Sequence, residues 1–213
     1  MVIKINYKNL ISFEGIDGCG KSTQIKLLSE KLSNNNINNF IFIEPGGSRI
    51  SEKIRAIVLD KNNSISSESE TLLFLAARSN LVNELIEPAI KNNDTILCDR
   101  YFDSTIAYQC YGKGMDIDIV NIMNKFAIRN IFPSLTIIFD ISPEIVQQRL
   151  KDKELDRMEM LGLEFQNKVR KGYIEISKNN NICHIIKCEN KSINQIHLEV
   201  VELYNLYMEN VKI

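Results

Sequence analysis

Residues 15 to 22 read Gly15-Ile16-Asp17-Gly18-Cys19-Gly20-Lys21-Ser22. This fits G-x-x-x-x-G-K-[ST], the phosphate-cradling loop that joins a strand to a helix. The residue types follow from the chemistry. Glycines let successive backbone N–H groups turn inward on a polyphosphate, and a helix beginning near Lys21 aims its positive dipole end at the same charge. Lys21 then reaches the outer phosphates and the Ser22 hydroxyl ligates magnesium.

Further stretches offer the groups such a loop needs as neighbours. Asp99-Arg100-Tyr101 closes an apolar run, Thr95 to Cys98. An acid there suits a magnesium-water or base role, and Arg100 is placed to grip a phosphate. Glu44-Pro45-Gly46-Gly47 ends a second run, Phe40 to Ile43, and Arg55 follows closely enough to touch substrate or to order the turn. Phe74 and Arg78 are four apart and share a helix face. A phenyl ring beside a guanidinium can sandwich and hydrogen-bond a base, while the plainer role for Phe74 is core packing. Residues 149 to 159, from Arg149 to Glu159, are dense in charge of mixed sign. That composition makes a solvated turn, or, in a phosphate-transfer enzyme, a lid that closes cations over the transferring group and excludes water.

Five apolar runs are available to position these groups: Leu10 to Phe13, Phe40 to Ile43, Thr95 to Cys98, Leu135 to Phe139 and Ile182 to Ile186. The second is wholly apolar, as in a parallel sheet covered on both faces. Helical periodicity falls between them, at Thr23 to Leu32, Ser48 to Leu59, Ser67 to Ile90, around Ser104 to Gln109, Asp116 to Phe132, Pro143 to Leu150, residues 160 to 178 and Ser192 to Met208. Helix 116–132 is expected to pack through Ile119, Ile122, Met123 and Phe126. Strands alternating with helices make an α/β fold, a parallel sheet with helices on both faces, and ligands then bind at the carboxyl edge of the strands. Asp140 at the end of the fourth run is expected to be structural, with Ser142 capping and Pro143 starting the next helix.

Composition removes whole classes. At 213 residues, 44% hydrophobic and 25% charged, the chain is long enough for its own core. Its 26 basic and 27 acidic residues leave a net charge of −1, so no basic surface for nucleic acid is expected. No apolar run approaches the length of a membrane span, and MVIKINYKN lacks the apolar core of a signal peptide. A cytoplasmic protein is expected. Five cysteines, at 19, 98, 110, 183 and 188, form no C-x-x-C pair and suit reduced thiols. Cys183, His184 and Cys188 fall short of a zinc ligand set and read as packing.

Taken together and in order, FEGIDGCGKSTQ (13–24), EPGG with Glu52, Ile54 and Arg55 after it, LLFLAAR (72–78), DRYFDSTIAYQ (99–109), LTIIFD (135–140) and DRME (156–159) closely resemble thymidylate kinases of the bacterial type, over nearly the whole chain. The resemblance implies a P-loop NTP hydrolase-like three-layer sandwich with five parallel strands in the order 2-3-1-4-5. It implies a single nucleoside-monophosphate kinase domain over 1–213, a lid insertion at about 149–160, and magnesium-dependent transfer of the ATP γ-phosphate to thymidine monophosphate. The ATP site would be Gly15, Ile16, Asp17, Gly18, Cys19, Gly20, Lys21, Ser22 and Thr23, with Ser22 and Asp99 on the metal. On the acceptor side, Asp17 resembles the acid facing the sugar or phosphate, Phe74 the residue stacking on thymine, and Arg78 the one bonding its carbonyl. Arg100 resembles the acceptor-phosphate clamp. Pro45 and Arg55 belong to the same pocket. Ser104, Thr105 and Gln109 sit where the family reads the base, and Tyr108 where a ring crowds out a ribose 2′-hydroxyl.

One departure concerns the lid. Relatives without a P-loop arginine carry lid arginines, whereas Lys151 and Lys153 stand here, and lysine cannot make arginine's two-pronged contact. The catalytic cation is then Lys153, Arg149 or Arg157, the plainer role of Arg157 being an ion pair with Glu154 or Glu159. The family implies a homodimer, for which the apolar faces of helices 67–90 and 116–132 are available unless they are core. Rival readings are fewer. A GTPase needs an Asn/Thr-Lys-x-Asp segment after a strand, and none is present. A deoxynucleoside kinase, or another nucleoside-monophosphate kinase of the fold, is the nearer alternative, although the former has no need of EPGG, Arg55 and Arg100. A non-catalytic scaffold would not need Gly15, Gly20, Lys21, Ser22 and Asp99 together.

Overall fold

The computed structural model describes residues 5–6, 9–151, 154–178 and 180–210. The strands are β1 (Ile5–Asn6), β2 (Leu10–Glu14), β3 (Asn39–Ile43), β4 (Thr95–Asp99), β5 (Ile131–Phe132), β6 (Leu135–Asp140) and β7 (Cys183–Lys187). β3, β4, β2, β6 and β7 form one parallel sheet in that order, which among the five is 2-3-1-4-5. β1 and β5 pair separately. The helices are α1 (Lys21–Asn34), α2 (Arg49–Leu59), α3 (Ser67–Leu81), α4 (Glu87–Lys91), α5 (Phe102–Thr105), α6 (Ile117–Ala127), α7 (Pro143–Leu150), α8 (Gly162–Lys178) and α9 (Ile193–Asn210).

Alternation along the strands divides the core between the two faces of the sheet. Leu10, Ile96 and Cys98 meet Leu81, Val82 and Ile86 on one face. Ile11, Phe13 and Leu97 meet Ile25, Leu28 and Leu32 of α1 on the other. Because the strands are parallel, their carboxyl ends share one edge. Asp99 is opposite both Ile43 and Phe13, so the residues after β2, β3 and β4 converge on a single place.

Three local expectations are corrected. Helix 116–132 stops at Ala127, because Arg129 and Asn130 turn with φ of 51° and 58° and hand the chain to β5. Its Ile119, Ile122 and Phe126 are 57%, 69% and 84% exposed, so they do not pack it onto the core. β3 is an edge strand, which leaves Phe40, Ile41 and Ile43 partly open to solvent instead of covered on both faces. Helix 67–90 is interrupted by a π-helical turn at Val82–Ile86 directly before Pro88, whose missing N–H the wider turn accommodates.

All five cysteines are free and buried. Burial pushes the Cys110 thiol up to about 11 and Cys188 up to about 12, and raises Cys98 well above the ordinary thiol range. Thiolate is the reactive form. Native protein at pH 8 is therefore expected to react slowly with a disulfide reagent, and all five thiols are expected to appear on denaturation. Rapid stoichiometric labelling of folded protein contradicts this packing.

Candidate active site

The loop between β2 and α1 takes its shape from glycine. Gly15 has φ of 139°, and a Cβ there would lie 2.7 Å from the Phe139 carbonyl oxygen of β6. The turn after β3 is equally demanding. At Gly46, with φ of 145°, a Cβ would meet Glu52 Oε1 at 2.5 Å, and that oxygen accepts a 2.6 Å bond from Gly47 N. Arg55 Nη1 donates to the Pro45 carbonyl at 2.7 Å, so Arg55 orders the turn.

A cavity of about 470 Å³ opens at the carboxyl edge of the sheet. Asp17, Gly18, Gly20, Lys21, Ser22 and Thr23 line it from the loop, and Pro45, Arg55, Phe74 and Arg78 from the β3 side. Asp99, Arg100, Ser104, Thr105, Tyr108 and Gln109 complete the expected set. Ile16 and Cys19 lie behind the loop in the core. Tyr108 and Gln109 stand on a π-helical segment, Ile106–Gly112, that continues α5.

In the loop Lys21 Nζ donates to the carbonyls of Gly15 and Ile16, both at 3.1 Å. Beside it the Ser22 hydroxyl donates to Asp99 Oδ2 at 2.6 Å. A hydroxyl and a carboxylate in contact are the hard oxygen donors that magnesium takes, alongside substrate phosphates. The two expected metal residues thus fit a shared ion.

Directly after β4, Arg100 has φ of 73°, the left-handed region that a residue with a Cβ adopts at a cost of about 1–2 kcal/mol. Its Nη2 bonds Asp17 Oδ1 at 2.7 Å and Tyr108 Oη at 3.0 Å. The Tyr108 hydroxyl donates to Asp17 Oδ2 at 3.0 Å, and the guanidinium carbon lies 5.0 Å from the centre of that ring. Burial pushes the Asp17 carboxyl up, but Arg100 and Lys21 outweigh it and hold the group well below the usual carboxylate range. Burial likewise raises the Tyr108 phenol, which stays protonated as a donor.

On the β3 side of the cavity, every N–H of Arg78 is engaged. Nε and Nη2 meet Glu44 Oε2 at 2.7 and 2.6 Å, Nη1 meets Thr105 Oγ1 at 2.5 Å and Asn124 Oδ1 at 2.7 Å, and Nη2 meets the Tyr101 carbonyl at 2.8 Å. Burial raises the Glu44 carboxyl. Arg78 therefore binds the walls together as well as lining the cavity.

The charged segment divides. Arg149 is exposed at the end of α7 and Lys151 is exposed after it, whereas Lys153 lies outside the described residues. Arg157 is held by Glu70, which is fully buried, and donates from Nε to the Val58 carbonyl at 2.7 Å. The expected partners Glu154 and Glu159 are engaged otherwise: Glu154 pairs with Lys61, and Glu159 accepts from Asp156 N at 3.0 Å. Asp140, expected to be structural, pairs with Arg170 at 2.6 Å away from the cavity.

Sequence reasoning missed Glu14, Glu70, Asn124 and Tyr173. Glu70 also holds Lys113 at 2.6 Å and Gln109 at 3.2 Å. Its signal was present, since 70, 74 and 78 fall on one helical face. Arg157→Ala removes one cation from a buried acid that keeps another, and is expected to cost on the order of 3 kcal/mol in urea unfolding. Wild-type stability with a large loss of turnover would make Arg157 a catalytic cation and not an anchor.

The sequence model of the thymidylate kinase family matches residues 13–200. A thymidylate kinase of Thermoanaerobacter sp. (strain X514) is 41% identical over 198 residues, covering 93% of this chain and 98% of its own. One from Thermosipho africanus (strain TCF52B) is 42% identical over 200 residues, covering 94% and 99%. The crystal structure of thymidylate kinase from Ehrlichia chaffeensis superposes with a TM-score of 0.75 at 36% identity, covering 92% of this chain and 97% of that one. With the glycine-rich loop, the Asp99-Arg100 strand end and the sheet order in place along that whole length, the chain belongs to the thymidylate kinase family.

Proposed function

We propose that this cavity transfers the γ-phosphoryl group of ATP to thymidine 5′-monophosphate, giving ADP and thymidine diphosphate. The observation that carries the reading is one cavity lined by two cationic groups, Lys21 with its loop and Arg100 beside Asp17. A nucleotide hydrolase needs only the first.

Lys21 exchanges its neutral carbonyl partners for phosphate oxygens of ATP, and Arg100 turns from Asp17 toward the acceptor phosphate. Magnesium, held by Ser22 and Asp99, would offset charge on the β- and γ-phosphates. An acceptor phosphate oxygen then attacks the γ-phosphorus in line as its bond to the β-bridging oxygen breaks. Phe74 stacks on the base, Arg78, Thr105, Ser104 and Gln109 frame its edge, and Tyr108 excludes a 2′-hydroxyl while Asp17 meets the sugar. Pro45 and Arg55 shape the wall. Residues 149–160 act as the lid of a single catalytic domain. The bonds of Arg157 favour anchoring, which leaves Lys153 or Arg149 to meet the γ-phosphoryl from outside.

ADP release measured against a panel of nucleotides tests the reading. Thymidine monophosphate is expected to exceed cytidine, adenosine and guanosine monophosphates by at least about 100-fold in kcat/KM, because a site built to hydrogen-bond one base leaves polar groups unpaired with another. Thymidine itself is expected to be inert. Comparable turnover of the cytidine nucleotide, or of thymidine, contradicts it.

A homodimer belongs to the same proposal. Ile119, Ile122 and Phe126 of α6 and Leu72 of α3 are exposed apolar groups, and covering them with a second copy would remove them from water. Five buried free thiols suit a cytoplasmic enzyme, and among the described residues no helix is long and apolar enough to cross a membrane. Sedimentation is expected to give a dimer, with Ile122→Glu shifting it toward monomer. A wild-type monomer contradicts the assembly.

A further inference from the structure

Glu14 ends β2 beneath the cavity and is fully buried. Four donors converge on it. Ser12 Oγ and Tyr101 N meet Oε1, both at 2.8 Å, and Ser104 Oγ and Tyr173 Oη meet Oε2 at 2.6 and 3.0 Å. Each of the four groups can donate, which places Glu14 as the shared acceptor of this network.

The two hydroxyls on Oε2 also face the acceptor clamp. Arg100 Nη1 lies 3.1 Å from Ser104 Oγ and 3.1 Å from Tyr173 Oη. A guanidinium only donates, so both oxygens must present lone pairs to it. The two hydroxyls also lie 2.8 Å from each other. Each has one proton, and Glu14 on the far side keeps both protons within this triangle and away from Arg100. We propose that Glu14 is a positioning residue for phosphoryl transfer: by accepting from the hydrogen-bonded Ser104–Tyr173 pair it turns both hydroxyl protons away from Arg100, and so fixes the Nη1 side of its guanidinium. Asp17 and Tyr108 hold the Nη2 side, where a phosphate can compete for the guanidinium. The Nη1 side then stays in place when the Nη2 side changes partner.

The inference rests on the acceptor role given to Arg100. Glu14→Gln keeps the shape but puts an amide donor in the network, so one hydroxyl must reverse and aim its proton at Arg100. The expected result is a fall of at least about 10-fold in kcat/KM for thymidine monophosphate, with the KM for ATP within about 2-fold of wild type. Tyr173→Phe removes one hydroxyl and should act in the same direction, less strongly. In the double variant its effect should largely vanish, because the two act through one network. Overturning results are unchanged kinetics in Glu14→Gln, equal losses toward both nucleotides, or additive effects of the pair. If Glu14→Gln does not fold, Tyr173→Phe with an unchanged ratio of the two KM values overturns the inference. Failure of the wild-type enzyme to phosphorylate thymidine monophosphate would instead refute the acceptor reading itself.

Discussion

A buried charge must be paired, and in this protein that requirement builds the cavity. Arg78, Arg100 and Arg157 are each tied to a carboxylate on a different element: Glu44 after β3, Asp17 in the glycine-rich loop, and Glu70 on α3. The three pairs join the β3 turn to α3, the loop to the end of β4, and the charged segment to α3. Arg78–Glu44 is buried and the other two pairs are part-buried; such pairs contribute little net stability over apolar packing, but breaking one is costly. Their effect is to hold the walls of the cavity at fixed separations.

The same pairing keeps the cationic groups ready. Lys21 rests on two loop carbonyls and Arg100 on Asp17, so neither waits as a bare charge. On the proposed reading, a phosphate arriving at Lys21 or Arg100 replaces an existing partner and does not have to organise one. Catalysis by positioned charge needs this, since reorganisation during the reaction would add to the barrier.

Much of this was legible in the sequence, for physical reasons. The glycine-rich loop is a local pattern with a fixed backbone demand, and the apolar runs give the sheet, so Lys21, Ser22, Asp99 and Arg100 could be placed together. The partners across the fold were less legible. Arg157 was expected to pair within its own segment, and only the packing of α3 against the charged stretch brings Glu70 to it. Glu14 was hidden by its position, as an acid at the end of an apolar strand; the same feature was noticed at Asp99 and Asp140. Apolar spacing on α6 gave the right period but not its destination, since period alone does not distinguish a core face from an exposed one. The stop after Ala127 depends on two left-handed residues, Arg129 and Asn130, of which only asparagine favours that region.

On the proposed reading, donor and acceptor sites adjoin in one cavity. Calorimetric titration with an adenosine–thymidine polyphosphate, the two nucleosides joined through their 5′-phosphates, tests it most directly. Linking two groups that occupy adjoining sites makes the second binding event intramolecular. The conjugate should therefore bind at least about 100-fold more tightly than ATP or thymidine monophosphate alone, be displaced by either, and lose the advantage in Arg100→Ala. Binding no tighter than ATP, competed by ATP alone, would contradict the two-site cavity.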